Sequence, residues 1–238
     1  MCSAQSAENV HSCQNTPAPD VSCSGSDKAL PTRIQDKFAQ LASKCRKCEL
    51  HKTRTQVVWG SGSDAARIVF IGEAPGRTED EGGQPFIGAA GKVLDELLAA
   101  ADLKRDDIYI TNVVKCRPPK NRNPMPAEID VCSKYLKTQI PAIGPSVIVT
   151  LGTFATRYVL QRKDSMAALQ GRLYQSKDYL ILPLYHPAAT IYDRTKREPF
   201  LAAAPLLKKL LAEESADDSA EGTASNHLSN HSPSQENT

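Results

Sequence analysis

Apolar residues along this chain fall into two alternating patterns. Compact runs of apolar side chains occupy residues 67–71, 108–114, 146–151 and 179–184, and between and after them apolar positions recur at a spacing of three to four. The first three runs are rich in Ile and Val with little polar alternation, as expected of parallel strands covered on both faces. The intervening periodicity predicts helices over residues 91–101 and 127–139, a short helix ending at residue 160, and a last helix over residues 196–211. An order of β-α-β-α-β-α-β predicts one three-layer α/β/α domain built on a central, mostly parallel sheet. Ligands of such sheets bind where loops leave the carboxyl ends of the strands. That directs attention to residues 72–90, 115–126 and 185–195.

The pattern stops at both ends. Residues 1–33 are rich in Ser, Ala, Asn, Gln and Pro without apolar periodicity, and residues 213–238 are polar, acidic and free of aromatic residues. Both read as disordered tails around a folded region at residues 34–212. Charge follows the same division. The 29 Lys and Arg and 27 Asp and Glu give +2, but the two tails carry −1 and −6, which leaves +9 on residues 34–212. A basic folded region suits a polyanionic partner. No apolar run exceeds five residues, far short of the ~20 needed to span a bilayer. With Lys28 as the first basic residue, no secretory or mitochondrial leader is expected either. The reading is a monomer inside the cell, where thiols stay reduced and seven cysteines point to metal or catalysis before disulfides.

Cys45 and Cys48 form a CxxC pair in a basic stretch from Lys44 to Arg54, and Cys116 and Cys132 lie further along. Four thiolates can close a tetrahedral zinc site or hold an iron–sulfur cluster, and spacing alone favours zinc. Buried, unliganded thiols are the plain alternative for Cys116 and Cys132. His51 beside them is a further ligand candidate or one more surface cation. Directly after the first strand comes Gly72-Glu73-Ala74-Pro75-Gly76, whose glycines let backbone approach a ligand while Glu73 is held at the strand tip. Neither the dinucleotide nor the Walker fingerprint fits, and a plain Gly/Pro turn is the alternative. His186 follows the last strand, at the same sheet edge as Glu73 if the strands are parallel. By residue type Phe86 is an ordinary core ring and Asn112 a turn former. Yet an Asn can pair two atoms of a planar base edge and an aromatic ring can stack on its face, so Glu73, Phe86, Asn112 and His186 together would make a pocket for a flat heterocycle. The run Glu79-Asp80-Glu81 reads as a solvent-facing turn, which leaves a Mg²⁺-dependent nuclease or phosphotransferase without its paired acids.

In this order the motifs resemble those of the family 4, iron–sulfur type, uracil-DNA glycosylases. The likeness rests on the four cysteines, on Gly72-Glu-Ala-Pro-Gly76, on Gly83-Gln-Pro-Phe-Ile-Gly88, and on Ile110-Thr-Asn-Val-Val-Lys-Cys-Arg-Pro-Pro119 continuing through Asn121-Arg122 and Pro124. His186-Pro187-Ala188 closes the set, and the match spans about residues 40–200. It implies the glycosylase version of the α/β/α fold, and a structural [4Fe–4S] cluster on Cys45, Cys48, Cys116 and Cys132 in place of the zinc that spacing favours. It also implies a base excision repair enzyme that flips uracil out of DNA, hydrolyses its N-glycosidic bond and leaves an abasic site. On that likeness Phe86 stacks on the flipped base, Asn112 pairs with its O4/N3 edge and His186 donates to O2. Glu73, in a motif loop with Gly72 and Ala74, belongs to the water-activating element. Ala74 and Gly76 stand where other glycosylase families carry an aspartate and a tyrosine that excludes the methyl group of thymine. No lysine sits at a motif tip to form a Schiff base, so a monofunctional hydrolase is expected. Ile191 and Tyr192 are candidates for a wedge that fills the vacated stack, and Arg194, Lys196 and Arg197 for phosphate contacts. The alternative is a non-catalytic metal-cluster module that binds nucleic acid through the basic CxxC region, which gives the four strand-tip residues no use.

Overall fold

The computed structural model describes residues 34–221. Six strands form one sheet: β1 (Ser61–Gly62), β2 (Ile68–Gly72), β3 (Tyr109–Asn112), β4 (Val147–Leu151), β5 (Tyr174–Gln175) and β6 (Leu180–Leu184), in the spatial order β1-β3-β2-β4-β6-β5. The four longer strands run parallel, and the two-residue strands β1 and β5 pair antiparallel at the edges. Helix α1 (Ile34–Ser43) precedes the sheet, α2 (Arg77–Gly82) and α3 (Ala89–Ala100) link β2 to β3, and α4 (Pro126–Ile143) links β3 to β4. Helices α5 (Gly152–Leu160) and α6 (Met166–Leu169) lie between β4 and β5, and α7 (Pro187–Tyr192), α8 (Arg194–Leu201) and α9 (Ala204–Glu221) follow β6.

Successive side chains of a strand alternate between faces, and here both faces are covered. Ile68 and Phe70 of β2 join Leu94 and Leu97 of α3, Phe200 of α8 and Leu207 of α9 in one core, whereas Val69 and Ile71 join Leu136 and Ile140 of α4 and Ala155 of α5 in another. That is why the Ile/Val runs lack polar alternation. Each such side chain, taken fully from water, contributes ~1.5–3 kcal/mol before its entropy cost. The result is the expected three-layer α/β/α domain. From β2 the chain steps to β3 on one side and later to β4 on the other, so a crevice opens at the carboxyl ends of these strands. The register keeps those ends flush: Gly72 is opposite Asn112, Ile71 opposite Thr150, and Leu151 opposite Leu184.

Two expectations need correction. The last helix is two helices, because Pro205 lacks an N–H and is tolerated only in a first turn, which starts α9 afresh. α9 is helical from Ala204 to Glu221. The rest of the two expected tails, residues 1–33 and 222–238, lies outside the described residues. Finally, Glu79-Asp80-Glu81 is not a solvent-facing turn but lies within α2, with Asp80 buried and both its carboxylate oxygens 3.0 Å from the Thr55 amide. No helix among the described residues is long and apolar enough to cross a membrane.

Candidate active site

Glu73 and Ala74 continue directly from β2, Asn112 ends β3, and His186 comes two residues after β6. The flush register brings them together, and with Phe86 they line a cavity of about 320 Å³. Gly72 stands behind the wall. A Cβ there would lie 2.3 Å from Asn112 Oδ1 and 2.6 Å from the Phe86 ring, so only glycine lets the amide and the ring approach this closely. Asn112 is buried, and its Oδ1 has no hydrogen-bond partner among the described residues. An unmet buried acceptor costs ~1–3 kcal/mol. Such an atom is tolerated where a ligand supplies the donor.

Phe86 is buried with φ of 53°, a left-handed conformation that costs a non-glycine residue ~1–3 kcal/mol. Its surroundings hold it there. Arg105 Nη2 donates to the Phe86 carbonyl at 2.6 Å while Nε pairs with Asp95 at 2.7 Å. Glu79 Oε1 accepts from the amides of Ile87 (3.1 Å) and Gly88 (2.9 Å). Gly91 packs so tightly that a Cβ would stand 1.7 Å from the Phe86 carbonyl oxygen. The ring so placed lies 5.7 Å from the His186 ring, centroid to centroid, with 30° between their planes.

The Ala188 amide donates to His186 Nδ1 at 3.1 Å, which leaves the ring proton on Nε2. Burial pulls the imidazole pKa down to about 4, against a smaller upward pull from the Glu79 carboxylate. The ring is therefore neutral at pH 7, with Nε2–H free to donate. Burial acts on Glu73 in the opposite sense and raises its carboxyl to about 7.

Two parts of the wall were not foreseen as such. Glu79 lines the cavity, and a Cβ on Gly76 would lie 2.7 Å from its Oε2, so the space opposite Gly76 is not open but filled from α2. No local signal separates Glu79 from its acidic neighbours; what singles it out is the pair of loop amides that it accepts. Asn121, Arg122 and Asn123 form the other part. The Arg122 guanidinium forks onto Glu128, with Nη2 to Oε1 at 2.7 Å and Nη1 to Oε2 at 2.9 Å, which fixes this loop to α4.

Cys45, Cys48, Cys116 and Cys132 line a second, smaller hollow between the CxxC loop, the end of β3 and α4. Arg54 braces it, donating to Cys116 Sγ at 3.2 Å and to the carbonyls of Ser43 (2.8 Å) and Cys45 (2.9 Å). The Lys115 amide donates to Cys132 Sγ at 3.2 Å. Burial pushes the Cys132 thiol up to about 11 and raises Cys48 and Cys116 as well; a coordinated metal reverses this, because a ligating thiol is deprotonated. No three His, Cys, Asp or Glu side chains among the described residues form a group able to hold a single ion. His51 is engaged otherwise, its Nδ1 lying 2.7 Å from the Cys48 carbonyl oxygen. Lys115 is buried with 1% exposure, and its head group faces inward.

Ile191 and Tyr192 stand exposed at the end of α7, a six-residue helix that His186 caps. Lys196 pairs with Asp193 at 2.9 Å and Arg197 pairs with Glu96, while Arg194 opens α8.

The fold is a doubly wound sheet with a partly desolvated pocket at its carboxyl edge and a four-thiol hollow beside it, and the class it belongs to is that of the uracil-DNA glycosylases. The model of the Uracil DNA glycosylase superfamily matches residues 59–211. The chain is 49% identical over 164 residues to the Type-4 uracil-DNA glycosylase of Archaeoglobus fulgidus, covering 66% of this chain and 82% of that one. It is 43% identical over 167 residues to the Type-4 enzyme of Thermotoga maritima, covering 68% and 85%. Similarity to the Type-5 uracil-DNA glycosylase of Thermus thermophilus is lower, 30% over 215 residues, covering 74% and 98%. The chain belongs to the type-4 uracil-DNA glycosylases, hydrolases of DNA repair.

Proposed function

We propose that the protein flips uracil out of DNA into the Glu73–Asn112–His186 pocket and hydrolyses its N-glycosidic bond, leaving an abasic site. The observation that carries the reading is the unmet Asn112 Oδ1. Uracil offers N3–H to that oxygen and O4 to the amide NH₂. Cytosine offers a bare N3 and an amino group, the reverse of what this amide needs, and the mismatch leaves buried polar atoms unpaired. Phe86 supplies the stacking face. As the N1–C1′ bond breaks, negative charge spreads over N1, O2 and O4, and a neutral His186 with its proton on Nε2 donates to O2 where that charge develops. Glu73, as the carboxylate, orients water and stabilises the cationic sugar. No lysine is among the residues lining the pocket, which supports hydrolysis without a Schiff base.

Unstacking the nucleotide costs a few kcal/mol, and an exposed apolar wedge at Ile191 and Tyr192 suits the vacated space. Arg194, Lys196 and Arg197 contact phosphates in this reading, the latter two exchanging their carboxylate partners for DNA. Cys45, Cys48, Cys116 and Cys132 hold a [4Fe–4S] cluster. An all-thiolate donor set, ringed by the sulfur contacts of Arg54 and the Lys115 amide, suits an iron–sulfur group. Its contribution is to fold the basic loops between its ligands, and the protein acts as a monomer on DNA within the cell. A non-catalytic nucleic-acid-binding module has no need of the pocket.

The test is a uracil-containing oligonucleotide, single-stranded and duplex, incubated in chelator and then heated in alkali. Cleavage at the uracil only after alkali is expected, and Asn112→Ala should slow it at least ~100-fold. Uracil release by Asn112→Ala at the parental rate would overturn the pocket assignment. Iron, sulfide and a broad visible absorbance that bleaches on oxidation are expected of the purified protein; zinc without iron would overturn the cluster.

A further inference from the structure

Lys115 is buried with 1% exposure, and a buried lysine head group is costly unless the three donors it carries when protonated are met. All three are met. Nζ donates to Thr111 Oγ1 at 2.5 Å, to Gln139 Oε1 at 2.7 Å and to the backbone carbonyl of Asn112 at 2.8 Å. The Trp59 ring face lies 5.4 Å away. The acceptors are themselves fixed, since Thr111 Oγ1 donates to the Trp59 carbonyl at 2.8 Å and Gln139 Nε2 donates to the Tyr109 hydroxyl at 2.9 Å. The backbone of Lys115 reaches the other way. Its amide donates to Cys132 Sγ, and its carbonyl accepts from the Val58 amide at 2.8 Å.

One residue thus spans the interval between the cysteine hollow and the pocket, and it grips the peptide that carries the Asn112 side chain. Stability alone does not call for this arrangement, because a well-packed apolar side chain fills such a space at no greater cost. What the ammonium adds is a fixed geometry. We propose that Lys115 is the positioning residue for Asn112, clamping the Asn112 carbonyl so that the unmet Oδ1 faces the base, and coupling that amide to the cysteine-bearing segment. The proposal rests on the reading of Asn112 as the base-recognition residue.

The test is a double-mutant cycle of Lys115→Met, which keeps the length of the side chain, and Asn112→Ala. Single-turnover uracil excision, inhibition by free uracil and affinity for undamaged duplex are measured, with visible absorbance and melting temperature alongside. Lys115→Met should slow excision on the order of 100-fold and weaken inhibition by free uracil about tenfold, with affinity for undamaged duplex within about twofold. In the Asn112→Ala background it should add nothing further. Additive losses, or unchanged inhibition by free uracil, would overturn the coupling while leaving Asn112 as the reader. Parental excision by Asn112→Ala alone would instead remove the underlying reading. If Lys115→Met does not fold or lacks the visible absorbance, Thr111→Val carries the test. It deletes one acceptor at constant size and should weaken free-uracil inhibition in the same direction by about threefold; no change there overturns the proposal.

Discussion

Two titratable side chains in one cavity are driven in opposite directions by the same burial, Glu73 up to about 7 and His186 down to about 4. Desolvation penalises whichever form is charged. On the proposed role of Glu73 as the carboxylate, single-turnover excision should rise as pH increases through about 7 and then level off, while His186, already neutral, adds no further limb in that range. Glu73→Gln should slow the reaction ~10–100-fold and flatten the profile; a profile that keeps its rise near pH 7 would assign the limb to another group. The stability effects have opposite signs. Glu73 favours the folded state while protonated and loses that contribution as pH rises from 4.5 to about 7, whereas His186 favours it while neutral and loses its share as pH falls from 6.5 to about 4. Glu73, Asn112 and His186 could be placed at one edge because strand-tip positions can be counted from the apolar runs, whereas Phe86, in the loop from α2 to α3, was reached only through the motif pattern. Lys115 and Glu79 were not. A lysine in a basic stretch and a glutamate in an acidic one read as surface charge, and only the acceptors of β3 and α4, or the amides of Ile87 and Gly88, show that each turns inward.

Among elements, the parallel strands were the most legible, since two covered faces leave a continuous Ile/Val run. The edge strands β1 and β5 are two residues long and too short to carry a period. Helix α2 was hidden because its six residues contain no apolar side chain; it is held by Asp80 on the Thr55 amide and by Glu79 on the next loop, not by an apolar stripe. The loop from α2 to α3 presents Phe86, the ring proposed to stack on the base, in its left-handed conformation. Gly91→Ala should push that carbonyl aside, lower stability by ~1–3 kcal/mol and slow uracil excision more than tenfold, read as melting temperature and single-turnover rate. A loss of stability with no change in excision would mean that the ring can be misplaced without consequence.

For the whole molecule, the +9 on residues 34–212 overstates the face available to DNA. Lys115 is internal, Arg54 braces the cysteines, Arg105 holds Phe86, and Arg122 is forked onto Glu128. The acidic residues 213–238 are the proposed competitor for what is left. Deleting them removes six negative charges and should raise affinity for DNA severalfold at low salt, with the difference vanishing as salt screens it. Equal affinities across a salt series would dismiss the competition. The wall beside Gly76 belongs to the same scale, because a strand-end loop and a helix build it jointly. With Glu79 Oε2 standing 2.7 Å from where a Cβ would be, and Oε1 accepting from two amides, a bulky side chain at position 76 must displace the carboxylate of Glu79. The two positions are therefore epistatic. A large side chain at position 76 should be better tolerated once Glu79 is shortened than while it is in place.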